Sequence, residues 1–150
     1  MDPTRLKIVV FGSFHAGKST FVQAIDPGSR HVEANCSDGT TTVALDFGKI
    51  EIDGRVVYLY GTPGQERFEF VREIIAHGMD AAVLMVDCTC GPDTFTKHLY
   101  QHLKETGVPL SVMLNKCDLA DACPARVRQE LDGAETYEIS ARNPGSSREA

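Results

Sequence analysis

Gly12-Ser13-Phe14-His15-Ala16-Gly17-Lys18-Ser19 fits the pattern G-x-x-x-x-G-K-S. The run before it, Leu6-Lys7-Ile8-Val9-Val10-Phe11, is apolar and β-branched and predicts a buried strand. After it, Thr20-Phe21-Val22-Gln23-Ala24-Ile25 predicts a short helix carrying Phe21, Val22 and Ile25 as its apolar positions. The glycines therefore sit on a strand-to-helix turn. Such a loop turns its backbone N–H groups inward, and the helix N-terminus adds positive dipole, which together suit a polyphosphate. Lys18 supplies an ammonium for the β- and γ-phosphates, and the Ser19 hydroxyl is placed to ligate Mg²⁺. A glycine-rich turn with a capping serine is the plainer alternative. The strand before and the helix after favour phosphate binding.

Outward from the loop, Asp26-Pro27-Gly28-Ser29 stops the helix, and residues 30–41 are polar and without period, a long loop. Val43 to Ile52 reads as a strand, Asp53-Gly54 as a hairpin turn, and Arg55 to Tyr60 as the antiparallel return. Gly61-Thr62-Pro63-Gly64-Gln65-Glu66-Arg67-Phe68 is a turn opening into a helix whose expected inner face is Val71, Ile74 and Ile75. Ala81 to Val86 and Pro109 to Leu114 are apolar runs suited to strands covered on both faces. Between them a helix is expected from Pro92 to Glu105, with Phe95, Leu99 and Leu103 at helical spacing and Gly107 as its stop. A short helix near Pro124 to Leu131 and a strand over Glu135 to Ile139 complete the order β-α-β-β-α-β-α-β-α-β. That order predicts an α/β fold, a mostly parallel six-stranded sheet with one antiparallel strand and helices on both faces.

Asn115-Lys116-Cys117-Asp118 directly follows an apolar strand. A carboxylate there can accept both the ring N–H and the exocyclic amine of guanine, a donor pair that adenine lacks. The asparagine side chain can orient the loop, and the lysine stem can lie along the base. A site built on such hydrogen bonds discriminates strongly, because the wrong base leaves buried groups unpaired. Ser140-Ala141-Arg142 follows the last expected strand, where a backbone N–H can touch the guanine carbonyl.

Composition bounds the rest. At 150 residues the chain is expected to be one domain with a real core. A net charge of −6 argues against nucleic acid or an anionic lipid surface as the main partner. No apolar run approaches a membrane span, and neither a signal peptide nor a lipidation pattern is evident, so no direct membrane anchor is expected. Of five cysteines, Cys88 and Cys90 lie one residue apart and Cys36, Cys117 and Cys123 are scattered; without zinc-type pairs of pairs they read as reduced thiols in a cytoplasmic protein, with a redox role for Cys88 and Cys90 as the alternative. His98 and His102 lie at helical spacing without an evident third ligand, and read as a solvated face rather than a metal pair.

Taken in order, these motifs resemble those of a Ras-like small GTPase, and the resemblance covers nearly the whole chain. It implies that Gly12, Ser13, Phe14, His15, Ala16, Gly17, Lys18, Ser19 and Thr20 hold the phosphates of GTP or GDP. It makes Thr42 a first-switch threonine that ligates Mg²⁺ beside Ser19, and Gly64 a γ-phosphate contact. Gln65 would orient the attacking water, with Lys18 absorbing developing charge. Asn115, Lys116, Asp118, Ser140, Ala141 and Arg142 would bind guanine. The implied protein is a cytoplasmic signalling switch with Mg²⁺ as cofactor and a protein effector or regulator as partner.

Three departures stand out. The family usually has aspartate, which holds Mg²⁺ through water, where this chain has Gly61. That change, with the run from Thr42 to Gly48, is similar to a prokaryotic branch of bacterial gliding and polarity GTPases, some encoded beside roadblock-type partners. Phe14 and His15 are bulky where many relatives are small; Phe14 either crowds an arginine finger arriving from a partner or simply covers the site. Arg30, in the first loop, is a candidate finger from within the chain. Finally, the family's closing helix is missing after Gly145, which is read as a truncated chain or a face covered by a partner. Two other readings remain: a nucleotide-binding scaffold with negligible hydrolysis, motivated by Gly61 and Phe14, and a small-molecule kinase, against which Asn115 to Asp118 argues.

Overall fold

The apolar run ahead of the glycine loop is the central strand. In the computed structural model, which describes residues 5–12, 16–35, 42–63, 69–87, 94–115, 125, 127, 131 and 136–138, Val9 and Val10 are fully buried. The elements in chain order are β1 (Arg5–Gly12), α1 (Lys18–Ile25), β2 (Arg30–Asn35), β3 (Thr42–Ile52) and β4 (Arg55–Gly61). Then follow α2 (Glu69–Ala76), β5 (Ala81–Asp87), α3 (Thr94–Glu105), β6 (Leu110–Asn115) and β7 (Thr136–Glu138). One seven-stranded sheet has the order β2-β3-β4-β1-β5-β6-β7. The pairings β4–β1–β5–β6–β7 are parallel, and β3 pairs antiparallel with both β4 and β2, so β3 alone runs against the rest.

Alternation along the central strands feeds two cores. Val9 and Phe11 face Leu84, Val86, Val112 and Leu114, under Leu99 and Leu103 of α3 and Val127 and Leu131. Val10 faces the other way, packing with Val83, Met85 and Met113 against Phe21 and Val22 of α1. Each such side chain contributes roughly 1.5–3 kcal/mol on full burial. Covering on both faces is why these strands read as unbroken apolar runs. Ala125 and Val127 have helical backbone, and the Leu131 N–H bonds Val127 O at 2.9 Å, where a short helix is expected.

The Asp53-Gly54 turn behaves as its sequence predicts. Both residues have positive φ, 50° and 77°, as a two-residue primed turn requires. It pairs Ile52 with Arg55 and sets every other pair of the hairpin, including Asp46 opposite Gly61.

Two expectations are corrected. Residues 30–35 lie in the segment expected to be a loop, yet form β2. The β3–β4 ladder begins at Asp46, and β2 pairs the stretch of β3 from Thr42 to Phe47. Backbone pairing to a free edge drives this strand, and a polar sequence carries no apolar alternation to announce it. Arg30, the proposed internal finger, opens β2 opposite Phe47. On α2, Ile74 is 59% exposed while Arg72 is buried. The guanidinium of Arg72 lies 4.8 Å over the Phe95 ring and donates to Pro63 O at 3.4 Å, so its long stem takes the inner position beside Ile75 and Ala76.

Candidate nucleotide-binding site

The site forms at the carboxyl ends of the parallel strands, where β1 turns into α1. Gly17 takes φ +93°, and a Cβ on it would fall 2.2 Å from Asn115 Nδ2, at the end of β6. That close approach allows the Asn115 amide to donate to Ala16 O at 2.9 Å, a bond joining residues 99 positions apart. Asn115 is 3% exposed. The bond ties the end of β6 to the glycine loop. Asn115→Ala would leave Ala16 O without this donor, costing about 1–3 kcal/mol. We expect a lower melting temperature together with faster release of bound GDP. Unchanged release kinetics would show that the tie does not shape the loop.

Lys18 Nζ donates to Gly12 O at 2.8 Å inside the loop. The ammonium is buried, and burial pulls its pKa down from 10.5 to about 8; the Asp46 carboxylate opposes that shift and the Arg72 charge adds to it. Behind Lys18, the Thr62 hydroxyl and N–H both donate to Val10 O, at 2.8 and 3.0 Å, pinning the start of the Gly61–Phe68 turn against β1.

Beside Lys18, Ser19 Oγ donates to Asp46 Oδ2 at 2.6 Å, and His31 Nδ1 donates to Asp46 Oδ1 at 2.7 Å. Asp46 is buried and His31 partly exposed. The sequence analysis missed Asp46. The signal was present: a two-residue turn at Asp53-Gly54 places Asp46 opposite Gly61, on the same sheet face. A hydroxyl and a carboxylate beside a phosphate-type loop are hard oxygen donors of the kind Mg²⁺ takes, so the residues present fit that ion. Among the described residues, no group of three or more His, Cys, Asp or Glu side chains is arranged to hold a metal alone. His98 and His102 line a groove between α2 and α3, with Glu69 and Glu73 also on its walls.

Of the residues expected at the site, Gly12, Ala16, Gly17, Lys18, Ser19 and Thr20 lie together at the β1–α1 junction, and Asn115 joins them. Thr42 opens β3, its backbone paired with Asn35. Ser13, Phe14, His15, Gly64, Gln65, Lys116, Asp118, Ser140, Ala141 and Arg142 lie outside the described residues.

Residues 4–143 match the model of the elongation factor Tu GTP-binding domain. The chain belongs to that family. It is a GTP-binding domain with the α/β fold of P-loop GTPases. An uncharacterised protein of Methanocaldococcus jannaschii is 32% identical over 121 residues, spanning 81% of this chain and 76% of that protein. Translation initiation factor IF-2 of Roseiflexus sp. is 33% identical over 134 residues, or 89% of this chain but only 18% of the factor. The chain thus spans less than a fifth of that factor's length. Among solved structures, elongation factor SelB of Methanococcus maripaludis, crystallised with a GTP analogue, superposes with a TM-score of 0.74 over 99% of this chain and 32% of SelB, at 19% identity. Era of Aquifex aeolicus, bound to GDP and aluminium fluoride, gives 0.68 over 93% of this chain and 52% of Era, at 19% identity. The family is thus broader than the Ras-like resemblance suggests, and its relatives here include translation factors.

Among the described residues, no helix is long and apolar enough to cross a membrane.

Proposed function

We propose that this domain binds GTP, hydrolyses it slowly to GDP and phosphate, and acts as a conformational switch in the cytoplasm. The observation that carries the reading is the Asn115–Ala16 bond, which ties the start of the guanine motif to the phosphate loop. One ligand with a purine at one end and phosphates at the other uses both.

Gly12 to Thr20 would cradle the phosphates through backbone N–H groups, with Lys18 exchanging its carbonyl partner for a phosphate oxygen, a stronger charge-assisted acceptor. Ser19 and, in the GTP state, Thr42 would hold Mg²⁺, which would supply positive charge to the phosphates. Gln65 would orient the attacking water, with Gly64 at the γ-phosphate. Lys116 would lie along the base while Asp118 and the backbone of Ser140, Ala141 and Arg142 read it. Loss of the γ-phosphate would relax residues 30–42 and 61–72.

The run from Gly61 to Phe68 supports a place in the prokaryotic Ras-like branch, and with it a protein effector or regulator of roadblock type. The scaffold reading keeps one observation in its favour, the Gly61 backbone where the metal-holding aspartate is expected.

Single-turnover hydrolysis of GTP with Mg²⁺ separates the two. A switch should turn over on the order of 10⁻⁴–10⁻² s⁻¹ unaided. Gln65→Ala should lower that rate by at least about tenfold. Equal, negligible rates for both proteins would favour the scaffold.

A further inference from the structure

Three strands place His31, Asp46 and Gly61 in one row, with His31 paired to Asp46 and Asp46 to Gly61. The middle residue is a buried carboxylate, 6% exposed. Its two oxygens are divided: Oδ2 accepts from Ser19 Oγ at 2.6 Å and Oδ1 from His31 Nδ1 at 2.7 Å. Taking a carboxylate out of water costs several kcal/mol unless charge or hydrogen bonds return it. One hydroxyl, one imidazole and the field of the Lys18 ammonium return part of that cost, and a divalent cation beside the carboxylate would return more.

Gly61 explains how the carboxylate fits. A Cβ at that position would lie 3.0 Å from Asp46 Cβ and 3.3 Å from Asp46 Oδ2. The space an aspartate at position 61 would fill is therefore taken by the side chain of Asp46, arriving from the neighbouring strand. Ser19 points the same way. By donating its proton to Asp46, its oxygen keeps both lone pairs for a cation.

We propose that Asp46 is the carboxylate of the Mg²⁺ site, supplied from β3 in place of one at position 61. Ser19 is the direct ligand that Asp46 orients, and His31 is a positioning residue that fixes the carboxylate through its other oxygen. The assignment rests on the GTP-binding reading above. It makes Gly61 a complement to Asp46 rather than a loss of metal binding.

The test uses the full chain loaded with a fluorescent GDP analogue. The readout is the Mg²⁺ concentration that half-slows nucleotide release, and the same release is followed in excess chelator. Asp46→Asn should raise that concentration about 10–100-fold, the usual cost of losing a group that orients metal ligands. Release in excess chelator, where no metal is bound, should change by a smaller factor than that concentration does. Gly61→Asp alone should weaken Mg²⁺ as well, by crowding Asp46, whereas Asp46→Gly combined with Gly61→Asp should restore it by returning a carboxylate to the vacated space. His31→Ala should give a smaller loss that His31→Asn, which keeps a donor, reverses. Melting curves identify any variant that fails to fold, and the exchanged pair then decides. Nucleotide binding with the same Mg²⁺ dependence in the wild type and Asp46→Asn would overturn the assignment and leave GTP binding standing. Failure of the wild type to bind the nucleotide at all would overturn both.

Discussion

Replacing Lys18 with methionine should make the nucleotide-free protein more stable while nearly abolishing its affinity for GDP. The two effects have one origin. The ammonium is buried, and its pKa stands near 8 rather than 10.5, so the folded protein carries the charged form at a cost on the order of 3 kcal/mol below that range. Methionine fills similar space without that cost, and gives up the bond to Gly12 O, about 1 kcal/mol. A net gain of about 2 kcal/mol should raise the melting temperature by several degrees. Binding moves the other way. Charge-assisted contacts to two phosphates contribute roughly 3–4 kcal/mol, or about 10²–10³-fold in affinity.

The pH dependence follows from the same shift. Between pH 8 and 10.5 the unfolded chain holds the lysine proton and the folded one does not, so the Lys18 contribution to stability rises with pH. Nucleotide affinity should fall over that window, by up to about tenfold per pH unit, because binding must recharge the amine. Both slopes should be absent in Lys18→Met. Calorimetric titration with GDP and thermal melting from pH 7 to 9.5 check this. A variant that loses stability along with binding would contradict the account of a strained, buried charge.

Asp118→Asn should exchange guanine for xanthine. In the proposed base site the carboxylate would accept two hydrogen bonds from guanine, and the amide would turn one of those acceptors into a donor. One charge-assisted hydrogen bond becomes a donor–donor contact and the other loses its charge, together roughly 3–6 kcal/mol, so GDP should weaken by about 10²–10⁴-fold. Xanthosine diphosphate offers a carbonyl where guanine has its amine, and should bind the variant better than GDP. Competition between the two diphosphates for a fluorescent analogue measures the exchange. A variant that keeps its preference for GDP would remove Asp118 from base recognition.

Much of this site is legible in the sequence because its parts are local. The loop from Gly12 to Ser19 sits between an apolar strand and an apolar helix, and each is recognised without knowing the rest of the fold. The Asn115 bond to Ala16 fits the same reading, since Asn115 ends β6 and Ala16 lies in the β1–α1 loop at the same end of the sheet. What escapes is set by register and edges. Asp46 matters because it faces Gly61 and reaches Ser19, relations that emerge only when the hairpin is counted outward from its turn. The β2 strand escapes because an edge strand can be held by backbone pairing with few apolar residues. The buried Arg72 escapes because helical periodicity assigns apolar residues to the inner face, and a long cationic side chain stacked on Phe95 took that place instead.

The central claim is that the ends of the parallel strands hold the phosphates of a nucleotide on one side and read guanine on the other. Calorimetric titration of the nucleotide-free chain with GDP, GTP and ATP, each with and without Mg²⁺, tests it most directly. The account predicts saturable one-to-one binding of both guanine nucleotides, tightened by Mg²⁺, and no measurable heat from ATP at the same concentrations. Binding of ATP as tight as that of GTP, or indifference to all three at millimolar concentration, would contradict it.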